Sequence, residues 1–455
     1  MPVTLAAFPR FSAQHRLLSL LALLVAAPLT GQGVGRIGFS RYMLTNGLEV
    51  TLAPDRSTQV VGVSVWYDAG SRLEPVAKAG LARLFERLMF AGSANVPPGG
   101  HATLTGDLGG RVGAIVDEES ARFSTVLPSS RLALGLWLEA NRMGSLSITD
   151  TTVGEARLEL VEQLRDQLDQ EPYAAVIASA VASLYDTLTC PGYAHAPLGR
   201  LQSITGITTA DAREFFRAHY APNRARLTLT GDFDTTQARQ LIAEYFGPLP
   251  RGPELAPFAC ADAPPPAART ARVTDRTAPA VAVGQFFPIP PHAHRDTPAL
   301  ELLEVIMSQG GASRLNTALV REALALGTQG GVLGQRRGPG AFGLFAIAAQ
   351  GVAADSLAAR LGAPARWAAG AGLTEAEVAR AKRIYRATAV SGRERPADIA
   401  AALQHARMFH DDPEAVNTEV DRVLAVTLED LRRVAGTWLN PGAALTRIVS
   451  PEAAR

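Results

Sequence analysis

The 455-residue sequence is poor in cysteine and in net charge, and each shortage excludes a class of protein. Its two cysteines, Cys190 and Cys260, are too few for a disulfide framework or for a zinc site built from cysteine alone. With 44 basic and 43 acidic side chains, the chain has no excess positive charge with which to bind nucleic acid. A single disulfide between the two cysteines stays open, because their spacing in the sequence does not give their distance in space.

Long apolar runs are also missing, apart from one near the N-terminus. Residues 17–29 are apolar, follow Arg10, His15 and Arg16, and precede small and polar residues. The run is shorter than the roughly 20 residues that span a bilayer, and this order of basic, apolar and small residues is typical of a secretory signal. We therefore predict a signal peptide at residues 1–33, a periplasmic or secreted protein, and no stable membrane span. The alternatives are an uncleaved anchor or an internal helix.

The remaining sequence has the composition of folded domains. It is 47% hydrophobic and 19% charged, which excludes a disordered chain. Residues 247–272 hold seven prolines and predict an extended linker. We therefore predict an N-terminal domain at residues 36–246 and a C-terminal domain at residues 273–455.

One local pattern occurs near the end of each half, at an offset of 219 residues. Thr208 and Thr427 each precede a helical segment, and Pro222 and Pro441 each follow it and lead into an apolar strand. We interpret the repeat as evidence of an internal duplication.

Apolar periodicity predicts a mixed α/β (α+β) fold, because strand-like segments alternate with long amphipathic helices. Asn46-Gly47 is a strong hairpin-turn signal. Strands are predicted at 60–67, 122–127, 281–287 and 344–348, and helices at 81–90, 132–142, 153–168, 174–188, 236–245, 297–308, 375–390, 398–409 and 427–438.

Residues 80–93 carry the most informative motif, Gly-Leu-Ala-Arg-Leu-Phe-Glu-Arg-Leu-Met-Phe-Ala-Gly-Ser. The segment resembles the metal-binding helix of the insulinase/pitrilysin family of zinc peptidases, in the branch of the mitochondrial processing peptidase. In that family the helix reads His-x-x-Glu-His. The two histidines bind zinc, the glutamate between them acts as general base on the metal-bound water, and a later glutamate is the third ligand.

Other positions extend the resemblance over nearly the whole chain after residue 40. Glu155 and Glu162 match the spacing of the family's supporting glutamate and its ligand glutamate. The resemblance implies two homologous processing-peptidase-like domains, each a mixed sheet packed with helices, which together form a clamshell. Further matching positions are Asn46-Gly47-Leu48, Gly109-Gly110, residues 193–200, Tyr220-Ala221-Pro222-Asn223 and Gly231-Asp232-Phe233.

The motif departs from the family at both metal-binding histidines. Arg83 and Arg87 stand in their places, and a guanidinium has no lone pair to give to zinc. Glu86 then remains as a vestigial general base, and we predict that the chain holds no zinc. The other histidines show no metal-binding spacing: His292 and His294 are a weak signal, and His405 and His410 are five residues apart.

Charge suggests a role for the two arginines. Two guanidinium groups carry the same +2 charge as one zinc ion, so Arg83 and Arg87 could replace the metal as counter-ions to Glu162 or Glu155. In the alternative, both arginines point towards solvent and pair with Glu86 along the helix.

The C-terminal half also resembles the family incompletely. There an Arg and, seven residues later, a Tyr reach the substrate's scissile carbonyl. Arg321 occupies the first position, and Thr328 replaces the Tyr with a shorter hydroxyl. Both are candidate substrate-binding residues, although Arg321 could equally be an ordinary surface charge.

These residues predict a chain that is inactive alone. Relatives often work in pairs, so we expect a non-catalytic subunit that binds peptide or completes the chamber of a partner with an intact His-x-x-Glu-His. One alternative is a structural or interaction protein on the same scaffold. Another is an active zinc metalloendopeptidase with unusual ligands.

Overall fold

Two mixed β-sheets, one from each half of the chain, organise the structure. It is a computed structural model that describes residues 34–197, 199–260 and 269–452. Residues Arg36–Arg455 form one compact unit. The predicted signal peptide at 1–33 lies outside the described residues.

The first sheet has six strands in the order β1-β2-β6-β3-β5-β4. β2 and β6 are parallel, and the other neighbours are antiparallel. Asn46 and Gly47 form the predicted turn between β1 and β2, where Gly47 adopts a φ of 90° that suits glycine. The strands are β1 Ser40–Met43, β2 Glu49–Pro54, β3 Val60–Tyr67, β4 Arg111–Val116, β5 Ala121–Pro128 and β6 Ala225–Gly231.

The second sheet has five strands in the order β7-β11-β8-β10-β9. β7 and β11 are parallel, and the other neighbours are antiparallel. The strands are β7 Arg269–Asp275, β8 Ala282–Ile289, β9 Ala325–Val332, β10 Gly340–Ala348 and β11 Leu445–Pro451.

The two sheets share one topology once β1 is set aside. In each, the first strand pairs in parallel with the last strand of its half, and the other three follow in the same antiparallel order. The repeated pattern lies at equivalent places, because the hydroxyls of Thr208 and Thr427 both cap the helix that precedes the last strand. The predicted fold class is confirmed.

Fifteen helices among the described residues pack around the sheets. The apolar faces of α1, α3 and α4 bury residues such as Phe85, Leu136 and Leu160 against the first sheet, and α9 buries Leu303 in the core of the second half. The helices are α1 Leu81–Leu88, α2 Gly100–Gly106, α3 Leu132–Ser145, α4 Asp150–Gln170, α5 Ala174–Ala182, α6 Leu201–Thr205, α7 Thr209–His219, α8 Thr235–Phe246, α9 Thr297–Ser308, α10 Ala354–Leu361, α11 Ala363–Ala369, α12 Glu375–Ser391, α13 Pro396–His410, α14 Glu419–Ala425 and α15 Leu428–Trp438.

α13 belongs to the second half in sequence but packs on the first sheet. The carboxamide of Gln404 bonds to both the hydroxyl and the carbonyl of Ser64 on β3, at 3.1 and 3.0 Å. Thr230 on β6 donates to the carbonyl of Pro396 at 2.7 Å. These buried bonds join the two halves. α13 ends at His410, which lies beside Glu419 of the second half.

A disulfide joins Cys190 to Cys260, so the possibility that the sequence left open is realised. The proline-rich region has no regular structure over residues 248–260, and β7 begins at Arg269, inside the predicted linker. The predicted domain boundaries remain predictions. Among the described residues, none of the helices is both long and apolar enough to cross a membrane.

Candidate functional site

Helix α1 presents the residues at the family's metal-binding positions. It begins after Gly80, whose φ of 104° is the left-handed conformation that glycine adopts without strain. The Glu74 carboxylate accepts hydrogen bonds from the backbone N–H groups of Gly80 and Ala82, at 2.9 and 2.8 Å. These bonds satisfy donors that the start of a helix leaves free and fix α1 against the core. Burial raises the pKa of Glu74 to about 8, although the backbone N–H groups oppose that change.

Arg83 joins α1 to the end of β4. Its Nη1 donates to the carbonyl oxygen of Val116 at 2.8 Å and lies 3.0 Å from Oε2 of Glu86. The Arg83 and Glu86 side chains are only 18% and 24% exposed. Arg83 therefore pairs with Glu86 along its own helix, as the alternative prediction held, but it is directed into the protein and not into solvent.

Arg87 contacts α4 without contacting either predicted glutamate. Its Nε lies 3.2 Å from Oε2 of Glu159, and its Nη2 donates to Oε1 of Gln163 at 2.8 Å. Glu159 and Gln163 are four residues apart on one helix face, within reach of a side chain longer than imidazole. Glu155 and Glu162 are exposed and make no ion pair within the described residues. The prediction that the arginines pair with Glu162 or Glu155 is wrong in its partners.

These residues do not fit a zinc ion at α1. Both guanidinium groups are protonated donors without a lone pair, and each is already bonded to a neighbouring oxygen. Glu86 and Glu162 would remain as a set of two carboxylates, which is not a ligand set that zinc favours. No catalytic step through a metal at α1 follows from this arrangement.

The substrate-binding candidates of the second half lie near its edge strand. Arg321 is exposed, and its Nη2 donates to the carbonyl of Gly311 at 2.7 Å. Thr328 lies on β9, opposite Ala346 of β10, and is half-buried. The structure gives Arg321 a partner within its own segment and does not bring it together with Arg83 or Arg87.

A cavity of 610 Å³ opens beside Arg83 and is rich in carboxylates. Of its four acidic lining residues, Asp117 pairs with Arg122 and Glu118 pairs with Arg336. The other two, Asp166 and Glu171, form no ion pair within the described residues. The cavity can therefore accept positive charge from a ligand.

Two edge strands offer backbone groups for pairing. β4 is one of the two edge strands of the first sheet, and β9 is one of the two edge strands of the second. An edge strand presents unpaired N–H and C=O groups to which an extended peptide can add. β4 ends at Val116, which also lines the cavity beside Arg83, so a peptide added to this edge would pass the cavity.

A second group of metal-ligand side chains lies in the C-terminal half. Potential ligand atoms of His292, His410 and Glu419 lie within 4.8 Å of one another. This group cannot be recognised from local spacing, because His292 follows β8, His410 ends α13 and Glu419 begins α14. The prediction that no other histidines form a metal site is therefore not supported for His292 and His410, and neither is the predicted absence of zinc.

Burial shifts the pKa of one histidine of this group and of a neighbouring glutamate. Burial lowers the pKa of His292 to about 3, so its imidazole is neutral at pH 7. Burial also raises the pKa of neighbouring Glu301 to about 8, and the charge of Glu419 adds to that effect. The Tyr385 hydroxyl donates to Oε2 of Glu301 at 2.9 Å.

Comparison with known proteins agrees with the resemblance of the sequence. The model described as insulinase (peptidase family M16) matches residues 49–194, and the model described as the peptidase M16 inactive domain matches residues 206–385. Zinc protease PqqE of Helicobacter pylori is 25% identical over 412 residues, which are 90% of this chain and 92% of that protein. The β subunit of the mitochondrial-processing peptidase of Blastocladiella emersonii is 24% identical over 215 residues, which are 47% and 45% of the two chains.

Solved structures share the fold at low identity. A protease from Helicobacter pylori superposes with a TM-score of 0.86 at 24% identity, over 91% of this chain and 100% of the other. A peptidase M16 inactive domain from Pseudomonas fluorescens gives a TM-score of 0.80 at 20% identity, over 92% and 99% of the two chains. The family models, the full-length relatives and the two matching sheets lead to one conclusion: the chain belongs to the insulinase (M16) family of peptidases.

Proposed function

We propose that the chain is an exported, non-catalytic member of the family that binds peptide beside a zinc-bearing partner. One observation carries the proposal: at the two histidine positions stand Arg83 and Arg87, and their guanidinium groups are held by Val116, Glu86, Glu159 and Gln163. A helix α1 with this arrangement offers no imidazole to a zinc ion that would activate water. Its contribution to hydrolysis is then to hold the substrate.

A paired assembly agrees with the relatives. The matching protein of Blastocladiella emersonii is by its name one subunit of a processing peptidase. In the paired arrangement, the zinc-bearing chain supplies the activated water, and this chain supplies an edge strand and a charged cavity. Arg321 and Thr328 would contact the same peptide from the second half.

The disulfide bond supports export of the protein. The disulfide between Cys190 and Cys260 is of a kind that persists in oxidising compartments and is rare in the cytosol. A solved structure with a TM-score of 0.73 and 16% identity is described as the periplasmic protease PqqL of Escherichia coli. Together with the leader at residues 1–33, these observations favour a periplasmic or secreted protein.

The preferred ligand is an extended peptide with basic side chains. Its backbone would add to β4, and a lysine or arginine would enter the cavity that Asp166 and Glu171 line. The matched test compares fluorescent peptides of one length that carry either Arg or Glu at the central position. We expect the Arg peptide to bind more tightly and Asp166→Asn to reduce this preference.

The deciding experiment is purification of the tagged chain from its native extract, with identification of co-purifying proteins by mass spectrometry. Recovery of a stoichiometric partner bearing His-x-x-Glu-His supports the proposal, as does zinc-dependent peptide hydrolysis by the pair but not by this chain. Recovery of the chain alone together with no peptide binding would favour the structural alternative. Hydrolysis by the purified single chain would contradict the proposal.

A further inference from the structure

We propose that His292, His410 and Glu419 bind a divalent transition-metal ion, with zinc as the expected occupant. The site lies in the C-terminal half and uses none of the residues at the family's metal positions on α1. It is independent of the proposed peptide-binding role, and either could fail without the other.

The geometry is close to that of a metal centre. Nε2 of His292 lies 4.0 Å, and Nε2 of His410 lies 3.8 Å, from the same oxygen, Oε1 of Glu419. Zinc bonds of about 2.0–2.2 Å place tetrahedral ligands about 3.3 Å apart. All the ligand atoms of the group lie within 4.8 Å of one another, so no separation exceeds the bound spacing by more than about 1.5 Å. Rotations of the His410 and Glu419 side chains, which are 15% and 22% exposed, would bring the three ligand atoms closer together.

Both histidine nitrogens are buried without a hydrogen-bond partner. Among the described residues nothing bonds to Nε2 of His292 or of His410, and the His292 side chain is only 4% exposed. Their distances to Glu419 are too long for hydrogen bonds. Buried polar atoms are normally satisfied, so two that face one carboxylate oxygen need a common partner. A cation between the three side chains supplies it.

The carboxylate of Glu419 is the group that faces both histidines. Glu301 also lines both cavities that His292 lines. The ring of His405 lies edge-to-face with that of His292, with 5.0 Å between the ring centroids. Its Nε2 is hydrogen-bonded to Oε1 of Gln335. Imidazole and carboxylate groups therefore lie together here, and Nε2 of His292 and of His410 has no hydrogen-bond partner within the described part of the chain.

The ligand set selects the class of metal. Two imidazoles and one carboxylate are the protein ligands of zinc sites that keep a fourth position open, whereas Mg²⁺ and Ca²⁺ prefer oxygen ligands alone. A cavity of 510 Å³ is lined by all three residues and gives the ion an entry path. It also leaves room for a water molecule in the fourth position.

The test is metal titration of the full chain after removal of metal by chelator and dialysis. Isothermal titration with zinc chloride is expected to show one equivalent bound. Bound Co²⁺ should give the intense visible absorption of a site with fewer than six ligands. Glu419→Gln, which keeps the side-chain shape, and His410→Ala should each weaken zinc binding by about 100-fold or more, because each removes one of three ligands.

Two controls separate this site from other zinc-binding places. His294→Ala removes a nearby, more exposed histidine and should leave the affinity unchanged, and Glu162→Gln should do the same if the ion is not on α1. Thermal unfolding of each variant without metal shows whether it is folded. Absence of zinc binding by the folded wild-type chain would overturn the proposal, as would binding that Glu419→Gln and His410→Ala leave intact.

Discussion

Nε of Arg87 lies 3.2 Å from Oε2 of Glu159, and this pair joins α1 to α4 at the protein surface. Glu159 is 64% exposed, so solvent screens the pair and it adds little to stability. The contact does determine where the Arg87 side chain is directed. Its guanidinium extends along α4, while the Glu162 carboxylate remains without an ion pair among the described residues.

Replacing both arginines by histidine should create a zinc site on α1. The double variant Arg83→His/Arg87→His restores two imidazoles four residues apart, with Glu162 available as third ligand. We expect it to bind one more zinc equivalent than the parent chain in the same titration. Adding Glu162→Gln should remove that extra equivalent. If the double variant is folded and binds no additional zinc, α1 and α4 are not placed as in a metal-binding relative.

Single alanine variants of the two arginines should differ in their effect on stability. Arg83→Ala removes a bond to a backbone carbonyl and leaves the half-buried Glu86 without its cation, so we expect a loss of about 1–3 kcal/mol. Arg87→Ala breaks a pair with the exposed Glu159 and a hydrogen bond to the neutral Gln163, and should cost about 0–1 kcal/mol. Urea unfolding at pH 7 measures both. Equal losses would contradict the different roles assigned to the two side chains.

The predictable parts of the fold are those with local signals. Alternation of apolar residues located β3 at Val60–Tyr67, and apolar periodicity located α9 at Thr297–Ser308, each with the observed bounds. β9 was not predicted, because three glycines interrupt its eight residues and its strand conformation depends on pairing with β10. β7 was not predicted for a different reason, because its first four residues fall within the predicted linker at 247–272.

The candidate site also has one part that local sequence predicts and another that depends on the fold. The arginines at the motif positions can be identified from the sequence. Their partners depend on the length and direction of each side chain, which the spacing of residues in the sequence does not determine. The group of His292, His410 and Glu419 depends on where α13 ends after it crosses the first sheet. No periodicity within one segment carries that information.

Removal of the disulfide should destabilise the chain substantially. Cys190 and Cys260 are 70 residues apart, and closing a loop of that length restricts the unfolded chain by about 4 kcal/mol in the chain-entropy model. We expect Cys190→Ala/Cys260→Ala to lose about 2–4 kcal/mol in unfolding free energy relative to the oxidised parent. Under a reducing agent the two proteins should become nearly equal. Two free thiols per denatured, unreduced chain would show that the bond does not form.

Acid should destabilise the fold in part through His101 on α2. This side chain is buried with its ring edge-on to Phe90, and burial, aided by the positive charge of Arg142, lowers its pKa to about 3. An unfolded histidine titrates near 6.5, so between pH 6.5 and 3 the unfolded chain binds a proton that the folded chain does not. The contribution of neutral His101 is therefore complete above pH 6.5 and decreases by up to about 1.4 kcal/mol per pH unit below it.

The matched variant is His101→Gln, which cannot titrate. Above pH 7 the free-energy difference between parent and variant should be constant, because His101 is neutral in both the folded and the unfolded parent. Between pH 6 and 4.5 the parent should lose stability more steeply, by about one proton in the slope of unfolding free energy against pH. Urea unfolding at a series of pH values measures both slopes. Parallel curves over this range would mean that His101 accepts its proton without unfolding, and that its neutral, buried state does not contribute to acid sensitivity.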